Sequence, residues 1–300
     1  METGENWLVT GANGFLGFNV PHVMKSENLI ALTRSGELPP GYSAALQVDL
    51  THISELREAI MKINPDYIVH AAALASHEEC ERNSELAYAV NADATQAIAE
   101  IAREIGSKMI YISTDAVFNG QRENYSELDV PDPFSVYGAS KLAGEYAIKD
   151  VDPTSLIIRT NFFGWSPNHT RSILEFFVNN LEAKNPINGY SDFTVSSIYV
   201  RYLLEHIQQL KNESGVWHVT SRDSLTKYEF GCQVADVFGL SSDLISPVTG
   251  QGEVSRSRDI SLNTDKFQGF LSNIPAPRLT SQREGIVSAH KDRPVATLSV

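Results

Sequence analysis

A glycine-rich segment near the N-terminus constrains the fold of this chain more than any other feature. Gly11, Gly14 and Gly17 follow the apolar run at residues 7–10 and open a segment with a helical pattern that begins at Phe15. Glycine at these positions permits a tight turn, a close approach of backbone N–H groups to phosphate, and close strand–helix packing. The segment therefore predicts a dinucleotide-binding turn at a helix N-terminus, although an ordinary strand–helix turn would also use glycine.

Short apolar runs alternate with helical patterns through the first half of the chain. The predicted strands are residues 7–10, 29–33, 45–48, 67–70, 108–113 and 155–159. The predicted helices are residues 15–24, 53–63, 84–105 and 135–148. Because this alternation is typical of βαβ units, the sequence predicts an α/β fold with a Rossmann-type, doubly wound parallel sheet.

The pattern is looser after residue 160. It predicts a loop at 161–168, helices at 172–183, 200–210 and 226–238, and a strand at 216–220. From Gly239 onwards the chain is weakly periodic, and we expect a loose segment from Ser288. We expect residues 1–160 to form the NAD(P)-binding domain, with some later segments returning to it. Residues 161–300 would form mainly a smaller C-terminal α/β substrate-binding domain.

Composition limits the partners of this chain. Its 300 residues are 42% hydrophobic, which is enough for a substantial core, and its formal net charge is −13. That charge disfavours non-specific binding to nucleic acid or to an anionic membrane. The two cysteines make no disulfide framework, no signal-peptide pattern opens the chain, and no apolar run approaches the ~20 residues of a membrane span. We therefore expect a cytoplasmic protein with neither of those partners.

The end of the second predicted strand points to the type of dinucleotide. An Asp or Glu there would bind the adenosine 2′-OH and favour NAD, but the chain has Thr33-Arg34-Ser35. An Arg can pair with a 2′-phosphate. We therefore predict that NADPH is preferred, with NAD possible as a cofactor; a solvated surface cation is the alternative for Arg34. The small residues Ala71, Ala72 and Ala73 after the fourth strand would let the backbone lie against the cofactor, or simply pack.

Tyr137 and Lys141 lie four residues apart and share one helix face, and Thr114 ends the fifth predicted strand. A free Tyr has a pKa of ~10, and a nearby Lys ammonium together with an oxidised nicotinamide would lower it. The expected chemistry is reduction of a carbonyl, with Tyr137 as the general acid. Thr114 would donate its hydroxyl to the same oxygen, and Lys141 would hold the nicotinamide ribose.

The glycine spacing resembles that of the extended short-chain dehydrogenase/reductase superfamily. The segments 113–120 and 136–145 resemble dTDP-4-dehydrorhamnose reductases and related sugar-nucleotide 4-ketoreductases, and the likeness continues at Cys80-Glu81, Val90-Asn91, residues 158–160 and residues 256–262. It covers almost the whole chain. The resemblance implies NAD(P)H-dependent reduction of the 4-keto group of a nucleotide-linked deoxysugar, with Thr114, Tyr137 and Lys141 as the catalytic residues.

The same resemblance implies further contacts with the cofactor and the substrate. The cofactor set is completed by Asn13, Phe15, Leu16, Asp49, Leu50 and Asn91. Asp49 would contact the adenine edge, with a helix N-cap as the structural alternative. The substrate set is His77, Thr114, Asn161, Trp165 and Arg256, and the cations considered for the diphosphate are Arg159, Arg201, Arg256 and Arg258. Solvation for His77, core packing for Trp165 and structural ion pairs for the arginines are the competing interpretations.

Departures from the family pattern leave alternatives open. Some members hold Mg²⁺ through an acidic residue near the place of Asn19, so we predict no metal. The loop at residues 74–79 is unusual, which leaves the sugar open. A Glu usual in dehydratases is missing after Asp115, which disfavours dehydration. A sugar-nucleotide epimerase and a regulatory subunit resembling the methionine adenosyltransferase beta subunit are the other functions considered, and a homodimer is expected from homologous folds.

Overall fold

The computed structural model describes residues 4–25, 27–35, 37–169, 172–250, 259–275 and 278–294. Its strands are β1 (Asn6–Thr10), β2 (Asn28–Thr33), β3 (Ala44–Gln47), β4 (Tyr67–His70), β5 (Lys108–Thr114), β6 (Leu156–Thr160), β7 (Phe162–Phe163), β8 (Ile187–Tyr190), β9 (Thr194–Val195), β10 (Ile198–Tyr199), β11 (Gly215–His218), β12 (Leu225–Thr226) and β13 (Ile245–Val248). All six strands predicted in the first half are present, each within one residue of its predicted bounds.

A seven-stranded sheet forms the centre of the fold, in the order β11-β6-β5-β4-β1-β2-β3. Every neighbouring pair is parallel. The strand order reverses between β1 and β4, where Thr10 pairs with His70. In open parallel sheets, ligands bind outside the carboxyl ends of the strands at this reversal. The predicted α/β fold with a doubly wound parallel sheet is confirmed, and β11 adds a strand from residues 215–218 to its edge.

Helices connect and cover the strands. They are α1 (Phe15–Val23), α2 (Ile53–Ile63), α3 (His77–Arg82), α4 (Ser84–Tyr88), α5 (Ala94–Ile105), α6 (Val136–Val151), α7 (Ile173–Glu182), α8 (Val200–Leu210), α9 (Lys227–Phe238), α10 (Asp265–Leu271) and α11 (Gln282–Lys291). The single helix predicted at 84–105 is wrong in one respect, since a π-helical turn at Ala89–Asp93 separates α4 from α5. Periodicity does not reveal one wide turn between two helical segments, and such turns are frequent at functional sites.

The last third of the chain is more ordered than its sequence pattern predicts. The chain after residue 239 forms β13, α10 and α11, and the expected loose segment from Ser288 is wrong as far as Lys291. Ser281 and Glu284 cap the N-terminus of α11 with a capping box, and the helix buries Ile286 and Ala289. These local hydrogen bonds and two buried side chains hold a helix whose apolar pattern is weak. The loop predicted at 161–168 contains β7, which pairs with β10.

The sheet separates two hydrophobic clusters, as alternation along a buried strand requires. In β1, Trp7 and Val9 belong to one cluster and Leu8 to the other, and all three are fully buried. The first cluster continues into the helices that follow residue 160. Within the described residues, none of the helices combines the length and apolar character needed to cross a membrane.

Candidate active site

The glycine turn between β1 and α1 is packed so closely that side chains would not fit. Gly11 has φ +68, and a Cβ added there would lie 2.9 Å from Ala72 Cα. A Cβ at Gly17 would lie 2.5 Å from both Ala12 Cα and Gly11 O. Gly14 caps α1 without a side-chain hydrogen bond, and no acidic residue stands in the first turn of this helix. The turn thus presents backbone N–H groups at a helix N-terminus, which fits the pyrophosphate of a dinucleotide.

The ends of β2 and β3 lie beside this turn. Asn13 Nδ2 donates to Ser35 Oγ at 3.2 Å, which joins the glycine turn to the residue after Arg34. Arg34 is exposed. The Asp49 carboxylate accepts from Thr51 N–H at 3.0 Å and from Thr51 Oγ1 at 2.7 Å, and these bonds, with the charge of Arg34 as a smaller cause, lower its pKa. Asp49 thus forms a turn before α2 and is not the N-cap, a place taken by His52.

His70, at the end of β4, connects the end of β1 to helix α5 through hydrogen bonds. Its Nδ1 lies 2.7 Å from Thr10 Oγ1 and its Nε2 lies 3.0 Å from Thr95 Oγ1. Thr10 Oγ1 accepts from Ala72 N–H, and Thr95 Oγ1 donates to Asn91 O. The directions of these two bonds make Nδ1 the acceptor and Nε2 the donor. Burial, with the Lys141 charge as a second cause, lowers the pKa of His70 to about 3, so the ring is neutral.

Asn91, in the π-helical turn, holds the loop that follows β4. Its Oδ1 accepts from Leu74 N–H at 2.8 Å, and its Nδ2 donates to Leu74 O at 3.1 Å and to Ser140 Oγ at 3.0 Å. The half-buried run at residues 71–73 immediately precedes Leu74. The predicted cofactor residue Asn91 thus uses its amide to fix this loop against α6, which carries the Tyr/Lys pair.

Tyr137 and Thr114 meet at the carboxyl end of β5. The half-buried phenol of Tyr137 lies next to the Thr114 hydroxyl, and the ring of the exposed His77 lies 4.8 Å from that of Tyr137, centroid to centroid. Burial raises the pKa of Tyr137 to about 12, while the nearby Thr114 hydroxyl acts in the opposite direction. The two residues predicted from separate segments are therefore brought together, with His77 beside them.

The Lys141 ammonium lies over the ring of Tyr111. Its side chain is buried, and its Nζ lies 4.0 Å from the centroid of the Tyr111 ring. Burial lowers the pKa of Lys141 to about 7, partly offset by the charge of Glu145. In the chain by itself, desolvation dominates the pKa of Tyr137 and the Lys141 ammonium contacts Tyr111. The expectation that Lys141 and an oxidised nicotinamide together lower the phenol pKa stays a prediction.

Two of the cations considered for the substrate form ion pairs within the protein. Arg159 is buried and pairs with the buried Glu145, Nε to Oε1 at 2.9 Å and Nη2 to Oε2 at 2.7 Å, and Ser113 Oγ donates to the same carboxylate. Arg201 Nη1 lies 3.1 Å from Asp292 Oδ2. Both arginines therefore form structural ion pairs, which is the interpretation that competes with substrate binding. Arg256 and Arg258 lie outside the described residues.

Asp115 is a residue of the site that the sequence interpretation did not assign. Its Oδ1 accepts from Thr114 Oγ1 at 3.0 Å and its Oδ2 accepts from Asn161 Nδ2 at 2.8 Å. Asn161 Oδ1 in turn accepts from Ser197 Oγ at 2.8 Å. Burial raises the pKa of Asp115 to about 6, against the effect of these hydrogen bonds. The sequence signal that could have identified Asp115 is an acidic residue directly after a Thr that ends a strand.

The remaining predicted residues have structural contacts. Trp165 is 5% exposed, and its Nε1 donates to Ala289 O at 2.8 Å, so core packing replaces the predicted wall of a substrate pocket. Asn19 Nδ2 donates to Phe15 O and Trp165 O, both at 2.9 Å, which ties α1 to the segment after β7. Among the described residues, no group of three or more His, Cys, Asp or Glu side chains is placed to hold a metal ion.

Comparison with known proteins shows which family this chain is similar to. A family model described as the RmlD substrate binding domain matches residues 5–282. The probable low-salt glycan biosynthesis reductase Agl14 of Haloferax volcanii is 31% identical over 295 residues, which cover 95% of this chain and 98% of that protein. Methionine adenosyltransferase 2 subunit beta of Danio rerio is 32% identical over 263 residues, 81% of this chain and 77% of that protein.

A solved structure agrees with the same family. The crystal structure of dTDP-4-dehydrorhamnose reductase from Bacillus anthracis in complex with NADP superposes with a TM-score of 0.85 at 26% identity. The superposition covers 97% of this chain and 99% of that one. The likeness therefore extends over both the parallel sheet and the segments that follow residue 160.

Proposed function

Because the chain belongs to the RmlD substrate-binding-domain family, we propose that it is an NAD(P)H-dependent reductase of a nucleotide-linked deoxysugar. The group reduced is the 4-keto group, and Tyr137 is the general acid. One observation carries this proposal: the Tyr137 phenol and the Thr114 hydroxyl meet at the carboxyl end of β5, close to the strand-order reversal where the glycine turn lies. Residues 1–160 would serve mainly the cofactor and residues 161–300 mainly the substrate.

The dinucleotide would be held by the turn that opens α1. Backbone N–H groups around Gly14 would meet the pyrophosphate, and Arg34 with Ser35 would meet a 2′-phosphate. The cofactor, when bound, supplies a hydride to the carbonyl carbon. The Asp49 turn would contact the adenine, and the backbone of the alanine run at residues 71–73 would lie against the rest of the cofactor.

Proton delivery is the part of the reaction performed by the side chains of the chain. As two electrons arrive at the carbonyl carbon, the Tyr137 phenol gives its proton to the oxygen, and the alcohol forms without free alkoxide. A phenol with a pKa of about 12 is protonated at neutral pH, so it is ready to act as an acid. An alkoxide is a stronger base than a phenolate, so the transfer is downhill.

Lys141 would contribute through its position. Its ammonium is buried beside Tyr111. The ammonium charge helps to lower the pKa of His70, and the Glu145 carboxylate acts to raise the pKa of Lys141. A bound dinucleotide would offer ribose hydroxyls to this ammonium. Those contacts would keep Lys141 charged and would favour the phenolate left on Tyr137 after it has given up its proton.

A panel of nucleotide sugars tests the proposed reaction. NADPH consumption is followed with dTDP-, UDP- and GDP-4-keto-6-deoxy sugars, for the wild type and for Tyr137→Phe. We expect turnover on at least one sugar and a ~10²–10⁴-fold loss of kcat in the variant, with NADPH binding unchanged. Near-wild-type kcat in Tyr137→Phe would refute the assignment of Tyr137. Tyr146→Phe is the matched control, because that phenol is exposed at 48% on the same helix.

A regulatory role is the second candidate, favoured by the 32% identity to the Danio rerio subunit. In that case the chain would bind NADPH and act through a partner protein without reducing a sugar. Binding of NADPH by calorimetry, together with no turnover on any sugar of the panel, would support this role. Turnover on one sugar at an ordinary enzymatic rate would exclude it as the main function.

A further inference from the structure

The buried ammonium of Lys141 is in contact with an aromatic ring. Its Nζ lies 4.0 Å from the centroid of the Tyr111 ring, and the two residues are 2% and 0% exposed. None of the ion pairs among the described residues includes Lys141, and the nearby Glu145 carboxylate is bound by Arg159 and Ser113. Because the face of an aromatic ring is negative, it attracts a cation, and more strongly where water is excluded. The Tyr111 ring is therefore a direct electrostatic partner of this ammonium.

The hydroxyl of Tyr111 fixes the ring against helix α6. The Tyr111 Oη lies 3.3 Å from Lys141 O and 3.2 Å from Asn91 O, and its proton is donated to these two carbonyl oxygens. Helix α6 comes this close at Gly144, where an added Cβ would lie 2.7 Å from Tyr111 Oη and 2.5 Å from Asn91 O. One phenol thus contacts Lys141 twice, with its ring at the ammonium and with its hydroxyl at the main-chain carbonyl.

An uncharged ring lies on the other strand neighbouring this phenol. His70 of β4 stacks with Tyr111 of β5, with ring centroids 5.5 Å apart and an interplanar angle of 29°. Its imidazole is neutral, because burial and the charge of Lys141 lower the pKa of His70 to about 3. A cationic imidazole would compete with the ammonium for the same ring and repel it. The neutral His70 therefore leaves the Tyr111 ring to one cation.

We propose that Tyr111 is a positioning residue for Lys141: its ring holds the ammonium at the place where the nicotinamide ribose would meet it. This inference rests on the proposed function, in which the ribose hydroxyls bind Lys141. A buried ammonium without this contact would have to turn toward another partner or lose its proton. Holding it on a rigid ring before the dinucleotide arrives reduces the cost of ordering the lysine side chain on binding.

Few charged groups act on Lys141 besides this ring. Burial lowers the pKa of Lys141 to about 7, and Glu145, one helical turn later on α6, acts in the opposite direction. Arg159 of β6 pairs with that carboxylate, and His70 of β4 is uncharged. The lysine therefore stands near a change of charge state, so a weaker ring contact should be visible as a lower pKa of Lys141.

Fluorination of the ring tests the contact at nearly constant side-chain volume. Phenylalanine and its mono-, di- and trifluorinated forms replace Tyr111, which makes the ring face less negative step by step. Lysine labelled at Cε is titrated by NMR, and the Lys141 signal is assigned by its absence in Lys141→Met. We expect Tyr111→Phe to keep the pKa of Lys141 nearly unchanged, and the trifluorinated ring to lower it by about one unit.

Two controls belong to the same titration. The Lys149 signal should stay constant in every variant, because that partly exposed ammonium lies 5.6 Å from the centroid of another ring, Tyr146. Trifluorophenylalanine at Phe177 places the same residue in the other hydrophobic cluster, where the ring is 1% exposed. An equal fall of the Lys141 pKa in this control would mean that the shift does not come from the ring contact, which overturns the proposal.

Steady-state kinetics give a second readout. KM for NADPH should rise in the order of fluorination, to about 10-fold for the trifluorinated ring, whereas kcat at saturating NADPH should fall less because Tyr137 is intact. A purely structural role of Tyr111 would give a different order. Tyr111→Phe, which removes the hydroxyl bonds, would then be as harmful as any fluorinated form, and this result overturns the proposal.

The two readouts separate the positioning role from the proposed reduction. A Lys141 pKa that does not change along the series overturns the role of Tyr111, whatever the chain reduces. A falling pKa with an unchanged KM for NADPH also overturns it, because the ammonium would not be positioned for the dinucleotide. A falling pKa and weaker NADPH binding, measured by calorimetry, in a chain that reduces no sugar would support the role of Tyr111 and contradict the proposed reduction instead.

Discussion

Two hydrogen-bonded networks meet at the carboxyl ends of the central strands, and they differ in how they treat protons. On the nucleotide side, Thr10, His70 and Thr95 form a chain whose bond directions are all determined, and the pKa of His70 is lowered to about 3. On the catalytic side, Asp115 and Lys141 have pKa values of about 6 and about 7. The first network keeps one protonation state at physiological pH, whereas the second stands close to a change of state.

Under the proposed function, the difference explains how one sheet edge would serve binding and proton transfer together. Groups that position a dinucleotide must not change their charge with pH, and burial of the neutral His70 between two hydroxyls would meet that requirement. Groups that supply protons need pKa values near the working pH. Both networks are buried, so burial alone does not make a group responsive; what matters is whether its charged form has partners that compete with desolvation.

The largest effect is expected when a methyl group is added to a glycine of the turn between β1 and α1. In Gly17→Ala the new Cβ would lie 2.5 Å from backbone atoms of Ala12 and Gly11, so α1 must move away from the turn. We expect NADPH binding, measured by calorimetry, to weaken on the order of 100-fold, and the free energy of unfolding to fall by about 1–3 kcal/mol. Gly269→Ala is the control, since that helical glycine has open space around it. Unchanged NADPH affinity in Gly17→Ala would show that this turn does not hold the dinucleotide.

A loss of about 2–4 kcal/mol in the free energy of unfolding is expected for His70→Ala. The change leaves a cavity and leaves the hydroxyls of Thr10 and Thr95 without their shared partner. Denaturant unfolding at pH 7.5 measures it, with the exposed His52→Ala as the control, for which a change within about 0.5 kcal/mol is expected.

The pH dependence of the same variant tests the charge state of His70. The folded pKa is about 3 and the unfolded value is 6.5, so the unfolded chain binds more protons between these limits. The contribution of His70 to stability is therefore complete above pH 6.5 and is lost as pH falls toward 3. His70→Ala should reduce the dependence of stability on pH across this window, and an equal slope in both proteins would mean that folding does not lower the pKa of His70.

Sequence reasoning identified the parts of this edge that depend on local spacing. The glycine turn and the four-residue separation of Tyr137 and Lys141 are visible because each feature lies within one turn or one helix. The meeting of Tyr137 with Thr114 follows from a second rule, that the carboxyl ends of parallel strands share one edge. These features needed no knowledge of long-range contacts.

The parts that sequence reasoning missed depend on contacts between distant segments. Asp115 becomes a site residue only because Asn161 reaches it from beyond β6. Trp165 lies in the core because Ala289 accepts its indole proton from the other end of the chain. The π-helical turn around Asn91 fits a helical pattern on both sides, so periodicity could not reveal it. Long-range hydrogen bonds leave no periodic signal in one sequence.

A gain in stability is expected for Lys141→Met, although turnover should be lost. The folded pKa of Lys141 is about 7 and the unfolded value is 10.5, so the stability of the wild type rises with pH between these limits. Replacing a buried amine by an apolar side chain of similar length removes the desolvation cost, and we expect the free energy of unfolding at pH 7 to rise by about 1–4 kcal/mol.

Thermal and denaturant unfolding at pH 7 and pH 10 measure the change in Lys141→Met. The difference between the variant and the wild type should shrink at the higher pH, where Lys141 is neutral in the folded chain. Lys149→Met is the control, because that side chain is 40% exposed on the same helix. A destabilised Lys141→Met would show that the ammonium supports the catalytic side of the edge rather than straining it.

The smallest effect is expected at the rim of the nucleotide side, where Arg34 is exposed to solvent. An exposed cation that pairs with a 2′-phosphate contributes about 1–2 kcal/mol, so Arg34→Ala should raise KM for NADPH about 10-fold and leave KM for NADH nearly unchanged. Arg283→Ala, which removes an exposed cation paired with Asp236, is the control. Equal effects on the two cofactors would remove the proposed role of Arg34 in recognition, and a strong wild-type preference for NADH would contradict NADPH as the favoured cofactor.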